Sequence, residues 1–563
     1  MPTRAHARRL GLALALFLLG AGASAAEPAR AAVASPHPLA SEAGIEVLRR
    51  GGNAFDAAVA VSAALGVVEP YGSGLGGGAF FLLHRASDGL EVVVDGRETA
   101  PGAAYRDMYL DADGEPIPGA STVGPLAAGI PGLPAALVHV AQRYGRLPLT
   151  ESLRPAIRYA EQGFPAFAWH VSRLERSGPS MSPAARAVFL PGGEPPALGS
   201  PIRQPDLAAT LSAIAARGQE GFYAGPVARK LVAGVRSAGG IWTREDLAGY
   251  RVVERTPLAG SYRGVTVVST PPPSAGGVAL INMLNMLSGY DFDSLDRVTR
   301  THLLVEVMRR AYRDRLEYLG DPDFVHMPLE VLLHPFYAAG QRMSLRLDRA
   351  TPSLSLPGIR PATGGRGTET SHLSILDEEG NAVAATQSIN TSYGSRFMPP
   401  GTGVLLNNEM DDFSVKPGVP NSFQLLGADP NAIEPGKRML SSMTPTILKA
   451  DGGWAILGTP GGSRIITIIL QAILAWVDGD DAEAMVSRPR LHHQYFPDHI
   501  SFETDSLSAE ERSALAGRGH ELSPLRRAIG IGNLQVVTWD RDTGAVDAAS
   551  DPRGIGEPRF SAP

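Results

Sequence analysis

A threonine directly after a long flexible segment, Thr370, occupies a position that could support covalent catalysis. Residues 350–369 are rich in proline and glycine, which is typical of a linker, and an alternating apolar segment follows. A threonine hydroxyl inside a chain is a poor nucleophile. It becomes competent when the preceding peptide bond is cut, because its own α-amine can then act as the base. Spacing alone does not separate Thr370 from Thr368 or Ser371.

A glycine pair, Gly461 and Gly462, lies between an apolar strand predicted over residues 454–457 and an apolar helix predicted over residues 464–477. The free N–H groups at a helix N-terminus point at negative charge, so this pair would suit an oxyanion hole. An ordinary strand-to-helix turn, with Ser463 as the N-cap of the helix, explains the same pattern.

Residues 407–413, Asn-Asn-Glu-Met-Asp-Asp-Phe, combine three acids with two amides. Such a group suits an ammonium ion or a metal, and a solvated turn fits the composition equally well. Three histidines, His492, His493 and His499, also lie close together beside Asp498. They lack the spacing of a metal motif, which favours a packed surface loop.

The glycines Gly72, Gly74 and Gly77 match the G-x-G-x-x-G spacing of dinucleotide-binding proteins. That motif needs a strand before it and a helix after it. Here a helix precedes and a strand follows, so the order is reversed. The spacing therefore indicates close packing of the backbone rather than nucleotide binding.

Two predicted hairpins would position these groups. Residues 79–84 pair with residues 90–95, and residues 371–376 pair with residues 382–388. Residues 418–438 contain turn residues throughout and show no clear period. A loop of that length inside a compact domain is usually functional, and often it is a lid.

Predicted helices surround the hairpins. The sequence predicts a short helix with a glycine stop over residues 40–52 and a buried helix over residues 54–68. Residues 130–250 are mainly helical, and residues 301–319 have the apolar spacing of an amphipathic helix.

The composition is that of a globular protein, with 44% hydrophobic residues among 563. The net charge of -6 argues against nucleic-acid binding. The absence of cysteine excludes disulfides, thiolate metal sites and cysteine nucleophiles.

The N-terminus has the order of a secretory signal. Arginines at positions 4, 8 and 9 precede an apolar run over residues 10–19, and Ala23-Ser24-Ala25 forms an A-x-A cleavage site. We expect residues 1–25 to be removed and the mature protein to be periplasmic or secreted, with no membrane association afterwards. A retained anchor is the alternative, although the uncharged run is marginal for a spanning helix.

Taken together, these motifs resemble the γ-glutamyltranspeptidase family. The resemblance covers nearly the whole mature chain, in order. In the second half the matching segments are TSHLS (370–374), LLNNEMDDFS (405–414), KRMLSSMTPTI (437–447) and GTPGGSRI (458–465). In the first half they are SPHPLAS (35–41), GGNAFDAAVA (51–60), SGLGGGAFF (73–81), DGRETAP (95–101) and YLGDPDF (318–324).

The resemblance implies an N-terminal-nucleophile hydrolase of the α/β class, with a four-layer αββα sandwich. It implies a precursor that cuts itself between Glu369 and Thr370. The products would be a large chain, residues 26–369, and a small catalytic chain, residues 370–563, which stay associated. Thr370 would be the nucleophile, with no metal and no organic cofactor.

The resemblance also implies roles for the residues around Thr370. The residues expected to hold the donor's α-carboxylate are Arg97, Ser441 and Ser442. The residues expected to hold its α-ammonium are Asn390, Glu409 and Asp412. The amides of Gly461 and Gly462 would form the oxyanion hole. Ser388 stands where many members have threonine, and Phe423 stands where members with a lid carry a gating aromatic residue.

The implied activity is that of a γ-glutamyltransferase and glutathione hydrolase. It would move the γ-glutamyl group of glutathione or related compounds to water, or to amino-acid or peptide acceptors, through an ester on Thr370. A cephalosporin (glutaryl) acylase of the same fold is one alternative, but a glutaryl group has no ammonium for the acids at 409–412. A poly-γ-glutamate enzyme is another, which the lid would obstruct. An exported binding protein on an inactive scaffold is a third, and it would not cleave itself.

Overall fold

Two antiparallel sheets carry the predicted site residues. The structure is a computed structural model that describes residues 26–359, 370–525 and 531–562. The predicted signal segment and both Thr368 and Glu369 lie outside the described residues. Within those ranges, no helix has the length and apolar character needed to cross a membrane.

The strands, in chain order, are β1 Ala32–Ala34, β2 Gly78–Arg85, β3 Leu90–Gly96, β4 Phe164–Pro165, β5 Pro201–Ile202, β6 Val253–Arg255, β7 Leu258–Tyr262, β8 Val265–Ser269, β9 Ser371–Leu376, β10 Ala382–Ser388, β11 Thr446–Ala450, β12 Gly453–Gly458, β13 Leu491–His492, β14 Ile500–Phe502, β15 Leu522–Pro524, β16 Gln535–Asp540, β17 Val546–Ser550 and β18 Arg559–Phe560.

The α-helices are α1 Pro38–Arg49, α2 Ala54–Val68, α3 Leu133–Tyr144, α4 Leu149–Gln162, α5 Ala168–Ser177, α6 Pro183–Phe189, α7 Pro205–Arg217, α8 Glu220–Tyr223, α9 Gly225–Ser237, α10 Arg244–Gly249, α11 Gly276–Leu287, α12 Arg297–Tyr318, α13 Leu329–Leu332, α14 Pro335–Met343, α15 Ile465–Val477, α16 Ala482–Ser487 and α17 Ala509–Gly517.

The two sheets and the helices that pack on them form four layers. One sheet has seven strands in the order β18-β1-β9-β10-β2-β3-β6, and the other has six in the order β17-β16-β12-β11-β8-β7. Their facing surfaces share an apolar core that includes Phe80, Leu82, Val268 and Ile447. Helices α1 to α4 pack on the outer face of the first sheet, and α11, α12 and α15 pack on the second. The predicted αββα sandwich is confirmed.

The buried helix α2 shows how composition sets this packing. All 15 of its residues are buried, because alanine and valine leave no polar face that needs water. Asn53 caps its first turn: the side chain accepts from the Asp56 amide, and the Asp56 carboxylate accepts from the Asn53 amide. The helix predicted over residues 54–68 therefore forms with those bounds.

The glycine-rich segment 72–78 leads from α2 into β2, and several of its glycines have no room for a side chain. A Cβ atom at Gly77 would lie 1.9 Å from the Ser388 carbonyl oxygen, and one at Gly72 would lie 2.9 Å from Ser371 Oγ. The interpretation of this glycine pattern as close backbone packing is confirmed. Its consequence is that the segment before β2 lies directly against the start of β9 and the end of β10.

Candidate active site

The sheet register brings Thr370 and Arg97 to one end of neighbouring strands. Ser371 pairs with Gln387, Ser388 pairs with Gly78, and Ala79 pairs with Gly96. Extending the β9–β10 and β2–β3 pairings by one residue places four residues in one row across four strands: Thr370, Ser388, Gly78 and Arg97. The two predicted hairpins therefore place residues far apart in sequence at the same edge of the sheet.

Thr370 lies within reach of a second hydroxyl group. Its Oγ1 is 3.4 Å from Ser388 Oγ, and Ser388 Oγ accepts from the Asn390 main-chain N–H at 2.7 Å. Asn390 adopts a left-handed conformation with φ 78°, which turns the chain at the end of β10. A hydroxyl pair thus stands at the start of β9.

The neighbouring hydroxyl of Ser371 makes a contact away from this pair. Its Oγ donates to Glu69 Oε2 at 2.5 Å, and Ser371 is fully buried. Successive side chains on a strand point to opposite faces, so Ser371 and Thr370 diverge. Of the two described candidates for the nucleophile, Thr370 is the one that lines the pocket described below.

Arg97, at the end of β3, is fully buried and holds two acids at once. Its Nη1 donates to Glu409 Oε2 at 2.7 Å, and its Nη2 donates to Asp412 Oδ2 at 2.6 Å. Its Nε donates to the Met439 carbonyl oxygen at 3.1 Å, which fixes the plane of the guanidinium. Glu409 and Asp412 are therefore part of a buried charge cluster, Asp411 is buried too, and the solvated-turn interpretation is wrong.

A third acid, Glu98, completes this cluster and was not among the predicted site residues. Glu98 Oε2 lies 3.5 Å from Arg97 Nη1, and the residue is fully buried. The signal was available, because Glu98 follows Arg97 directly in the DGRETAP segment. Because Glu98 lies about 310 residues from Glu409 and Asp412 in the sequence, nothing in the sequence indicated that they contact the same guanidinium.

The glycine turn approaches the same place from the second sheet. Gly461 and Gly462 have φ values of 144° and 57°, and a 3₁₀ turn over Gly462–Arg464 leads into α15. Ser463 is not the N-cap, because Arg464 holds that position, so that interpretation is wrong. The Ser463 carbonyl oxygen instead accepts a hydrogen bond from the Tyr312 hydroxyl.

Loop 418–438 covers the glycine turn with an aromatic ring. A Cβ atom at Gly462 would lie 2.3 Å from Phe423 Cδ1, so the ring rests directly on this glycine. Phe423 is 7% exposed, and its carbonyl oxygen accepts from Gln494 Nε2 at 3.1 Å. The predicted lid is thus in contact with the predicted oxyanion hole.

These groups surround one small cavity of about 20 Å³. Nine of the ten residues predicted for the site line it, and Gly461 adjoins it through Gly462. The lining residues are Arg97, Thr370, Ser388, Asn390, Glu409, Asp412, Phe423, Leu425, Ser441, Ser442, Met443, Gly462, Ser463 and Ile465. Leu425, Met443, Ser463 and Ile465 were not predicted, although each lies within three residues of one that was.

The serine pair Ser441 and Ser442 adds two hydroxyl groups to the lining of the same cavity. Ser441 Oγ accepts from the Met443 N–H at 3.1 Å, and the Ser441 N–H donates to the Pro273 carbonyl oxygen at 2.8 Å. Ser442 Oγ is buried and has no hydrogen-bond partner among the described residues. An unpaired buried hydroxyl lining a cavity is suited to a ligand.

Comparison with known proteins decides the family. The family model described as Gamma-glutamyltranspeptidase matches residues 40–560. The chain belongs to the γ-glutamyltranspeptidase family. It is 40% identical over 537 residues to a glutathione hydrolase proenzyme from Escherichia coli (strain K12), covering 93% of this chain and 90% of that protein. It is 42% identical over 562 residues to one from Pseudomonas sp. (strain A14), covering 98% and 96%.

A solved structure of another activity shares the fold. The crystal structure of a cephalosporin acylase from Bacillus halodurans superposes with a TM-score of 0.83 at 29% identity, covering 98% of this chain and 99% of that one. The γ-glutamyltranspeptidase fold is thus common to enzymes with different acyl donors. The contents of the pocket, rather than the fold, must therefore distinguish the donors.

Burial and neighbouring charges shift the pKa values of the ionisable groups in this γ-glutamyltranspeptidase site. Burial alone would lower the pKa of Arg97, but Glu409, Glu98 and Asp412 raise it above its ordinary value. Burial raises the pKa of Glu409 to about 8; Asp412 raises it too, and Arg97 opposes the change. Burial likewise raises the pKa of Glu98 well above its ordinary value. The cluster therefore keeps a fixed cation beside two glutamates, Glu409 and Glu98, whose burial favours the protonated form.

The raised pKa of Glu409 predicts a pH-dependent stability. In the folded chain Glu409 keeps its proton up to about pH 8, whereas an unfolded glutamate loses it near pH 4.5. Between these values the unfolded state binds fewer protons, so this residue's contribution to stability falls as pH rises. The free energy of unfolding of wild type minus that of Glu409→Gln should decrease by at most about 1.4 kcal/mol per pH unit.

Thermal or urea unfolding of both proteins from pH 5 to 8 measures this difference. The buried histidines are common to both proteins, so their titration cancels. A difference that stays constant or increases with pH would contradict the assignment.

The histidines predicted to pack in a surface loop make protein contacts. His492 Nδ1 lies 2.8 Å from Thr467 Oγ1 and its Nε2 lies 2.8 Å from Gln494 Oε1, while His493 Nε2 lies 3.2 Å from Asp498 Oδ1. His492 and His493 are buried, whereas Asp498 and His499 are partly exposed, so the loop is packed and reaches the surface at residues 497–499.

One group has the geometry of metal ligands within the described ranges: His302, Glu306 and His520. Its chemistry does not favour a cation. Glu306 already accepts from Arg310 Nη1 at 2.6 Å and from Thr351 Oγ1 at 2.5 Å, and the Arg310 charge would repel a metal ion.

Proposed function

We propose that this chain is a γ-glutamyltransferase and glutathione hydrolase. It moves the γ-glutamyl group of glutathione or related compounds to water, or to the amine of an amino-acid or peptide acceptor. The observation that carries the proposal is the buried Arg97–Glu409–Asp412 cluster in the pocket of Thr370. A γ-glutamyl group has one carboxylate and one ammonium on a single carbon, and this cluster offers the opposite charge to each.

Arg97 binds the donor's α-carboxylate. Its two outer nitrogens are already bonded to carboxylate oxygens at 2.7 and 2.6 Å, so a substrate carboxylate presents the same group to the same fork. When the substrate replaces these contacts, Glu409 and Asp412 become free to accept from the α-ammonium. Asn390 supports the ammonium, and the hydroxyls of Ser441 and Ser442 donate to the α-carboxylate.

Thr370 attacks the γ-carbonyl carbon once its own α-amine is free. The amine takes the hydroxyl proton, Oγ1 bonds to the carbonyl carbon, and the carbonyl oxygen becomes an oxyanion. The N–H groups of Gly461 and Gly462 stabilise this charge. The amine leaving group departs with the proton, and Thr370 carries a γ-glutamyl ester. Water or an acceptor amine then attacks the ester and restores the threonine.

Cleavage between Glu369 and Thr370 yields a large chain, residues 26–369, and a small chain, residues 370–563. The sheet order supports their continued association. Strands β9 and β10 of the small chain lie between β1 and β2 of the large chain, and β11 of the small chain pairs with β8 of the large chain. Main-chain hydrogen bonds of both sheets would therefore hold the two chains together.

Export accompanies this activity in our proposal. The charged, apolar and small-residue order of residues 1–25 supports removal of a signal, followed by a periplasmic or secreted location. Small γ-glutamyl compounds and amine acceptors would be the partners there. No metal or organic cofactor takes part in the proposed steps.

The glutaryl acylase alternative is favoured by one observation, the superposition on a cephalosporin acylase. A glutaryl donor has the carboxylate but lacks the α-ammonium. Asp412 would then stay largely buried without a counter-charge from the substrate, which is unfavourable. A polymeric donor is disfavoured by Phe423, which covers the cavity.

Paired donors test the proposal directly. We expect the wild-type enzyme to prefer γ-glutamyl-anilide over glutaryl-anilide, because the two differ only by the ammonium. Asp412→Asn should lower kcat/KM for the γ-glutamyl compound by about 10- to 150-fold, the range for a hydrogen bond to a charged group. It should affect the glutaryl compound less and leave self-cleavage intact.

Anilide release gives the rates, and a denaturing gel reports self-cleavage. A wild-type preference for the glutaryl compound would overturn the proposal in favour of an acylase. Equal losses on both compounds in Asp412→Asn would remove Asp412 from ammonium recognition. A folded wild-type protein that remains a single chain on the gel would instead indicate an inactive binding scaffold.

A further inference from the structure

A single side chain, Asn421, joins the acid cluster of the pocket to the loop that covers it. Its Nδ2 donates to Asp412 Oδ1 at 3.1 Å. Its Oδ1 accepts from the main-chain N–H groups of Phe423 and Leu425, both at 3.0 Å. One short amide therefore bonds at the same time to a predicted ammonium-binding acid and to the turn of the lid.

The turn that Asn421 caps contains two residues that line the cavity. Phe423 rests on Gly462, and Leu425 lines the same space. Both residues are 7% exposed. A side chain that accepts from the amides two and four positions ahead stabilises a tight turn. The placement of both apolar side chains over the acyl pocket thus depends on the amide oxygen of Asn421.

The other end of the same amide sets the direction of the Asp412 carboxylate. Oδ1 of Asp412 is held by Asn421, while Oδ2 is held by Arg97. Because each oxygen has its own donor, the carboxylate cannot rotate freely. Oδ2 is thereby kept on the Arg97 side of the pocket, where the donor's α-carbon would lie.

We propose that Asn421 is the positioning residue that sets the preference for donors with an α-ammonium group. It pre-orients Asp412 for the ammonium and couples that orientation to closure by Phe423 and Leu425. A donor with an ammonium gains from both effects, and a glutaryl donor gains nothing from the orientation of Asp412. This inference rests on the proposed function.

A second asparagine of the loop, Asn431, makes contacts that support the chain but do not reach the Asp412 carboxylate. Asn431 Nδ2 donates to the main-chain carbonyl oxygen of Asp412 at 2.7 Å, and its Oδ1 accepts from the Leu440 N–H at 2.9 Å. It supports the path of the chain and does not touch the carboxylate. Asn421 is the amide placed to influence recognition.

Two substitutions separate the two ends of Asn421. Asn421→Ser keeps a short acceptor for the turn amides, but its single, shorter hydroxyl cannot accept from them and also reach Asp412, whereas Asn421→Ala removes both contacts. Gln424→Asn is the matched control, because Gln424 lies in the same turn with φ 62° and its side chain makes no hydrogen bond among the described residues. Asparagine tolerates that conformation.

The measurement is kcat/KM of the mature enzyme for γ-glutamyl-anilide and glutaryl-anilide. We expect both Asn421 variants to reduce the ratio of the two values by at least about 10-fold, the lower end for a hydrogen bond to a charged group. Gln424→Asn should leave the ratio within about 2-fold. In an Asp412→Asn background, Asn421→Ser should change the ratio by less than about 2-fold, because it acts through Asp412.

The outcomes separate this inference from the proposed function. If wild type does not prefer the γ-glutamyl compound, the proposed function fails. If wild type prefers it but Asn421→Ser retains the ratio, or the two substitutions are additive, the inference alone fails. Loss of self-cleavage in Asn421→Ser, with Gln424→Asn processed normally, would assign Asn421 to folding and also overturn the inference.

Discussion

Thr370→Ala is expected to remain one uncleaved chain and to lose γ-glutamyl transfer by a factor of about 10⁴ or more, the scale of removing a nucleophile. In the proposed mechanism the hydroxyl of Thr370 acts twice, first on the Glu369 carbonyl carbon and then on the donor. Its position beside Ser388 and in the same pocket as Gly462 supports both steps. A denaturing gel and an anilide-release assay measure the two losses separately.

Neighbouring hydroxyls provide the controls for this result. Thr370→Ser keeps a hydroxyl and should still split, and Thr368→Ala should split as wild type does. N-terminal sequencing of the wild-type fragments should begin near Ala26 and at Thr370. Cleavage of Thr370→Ala at the same bond, or an uncleaved Thr368→Ala, would transfer the role to another residue.

Replacing Arg97 is expected to have the next largest effect. Arg97→Lys should lower kcat/KM for γ-glutamyl-anilide by about 10- to 150-fold, because an ammonium cannot form the bidentate fork to a carboxylate. Arg97→Ala should lower it further. It should also reduce the free energy of unfolding by about 3–5 kcal/mol, because Asp412 would lose its cation and the buried carboxyl groups of Glu98 and Glu409 would lose their hydrogen-bond donor.

An arginine at the surface is the matched control for Arg97. Arg106 pairs with Asp429, and about half of its side chain is exposed, so Arg106→Lys should leave both activity and stability nearly unchanged. Steady-state kinetics and urea unfolding of the three variants provide the comparison. An Arg97→Lys enzyme with wild-type kcat/KM would show that bidentate binding of the α-carboxylate is not used.

The chemistry of the site follows largely from local sequence. A threonine after a proline- and glycine-rich segment, a glycine pair between strand and helix, and acids among amides each predict a type of group. The hairpins around residues 79–95 and 371–388 and the helix over residues 54–68 were also predictable, because apolar periodicity and turn residues are local properties.

The selection among neighbouring candidates required the tertiary structure. Thr370 and Ser371 have the same hydroxyl chemistry and adjacent positions. The pairing of β9 with β10 places Thr370 opposite Ser388 and directs Ser371 to Glu69. Spacing cannot distinguish two hydroxyls that differ only in the face of a strand.

By itself the sequence determined the kind of groups this protein uses, the order of its elements and its resemblance to a family. The tertiary structure alone decided which of these groups share one environment. Arg97 meets Glu409 and Asp412 across more than 300 residues, Glu98 joins them as a third acid, and Asn421 links them to the lid. Such contacts depend on sheet register and layer packing, which bring distant segments together and leave no periodic signal along the chain.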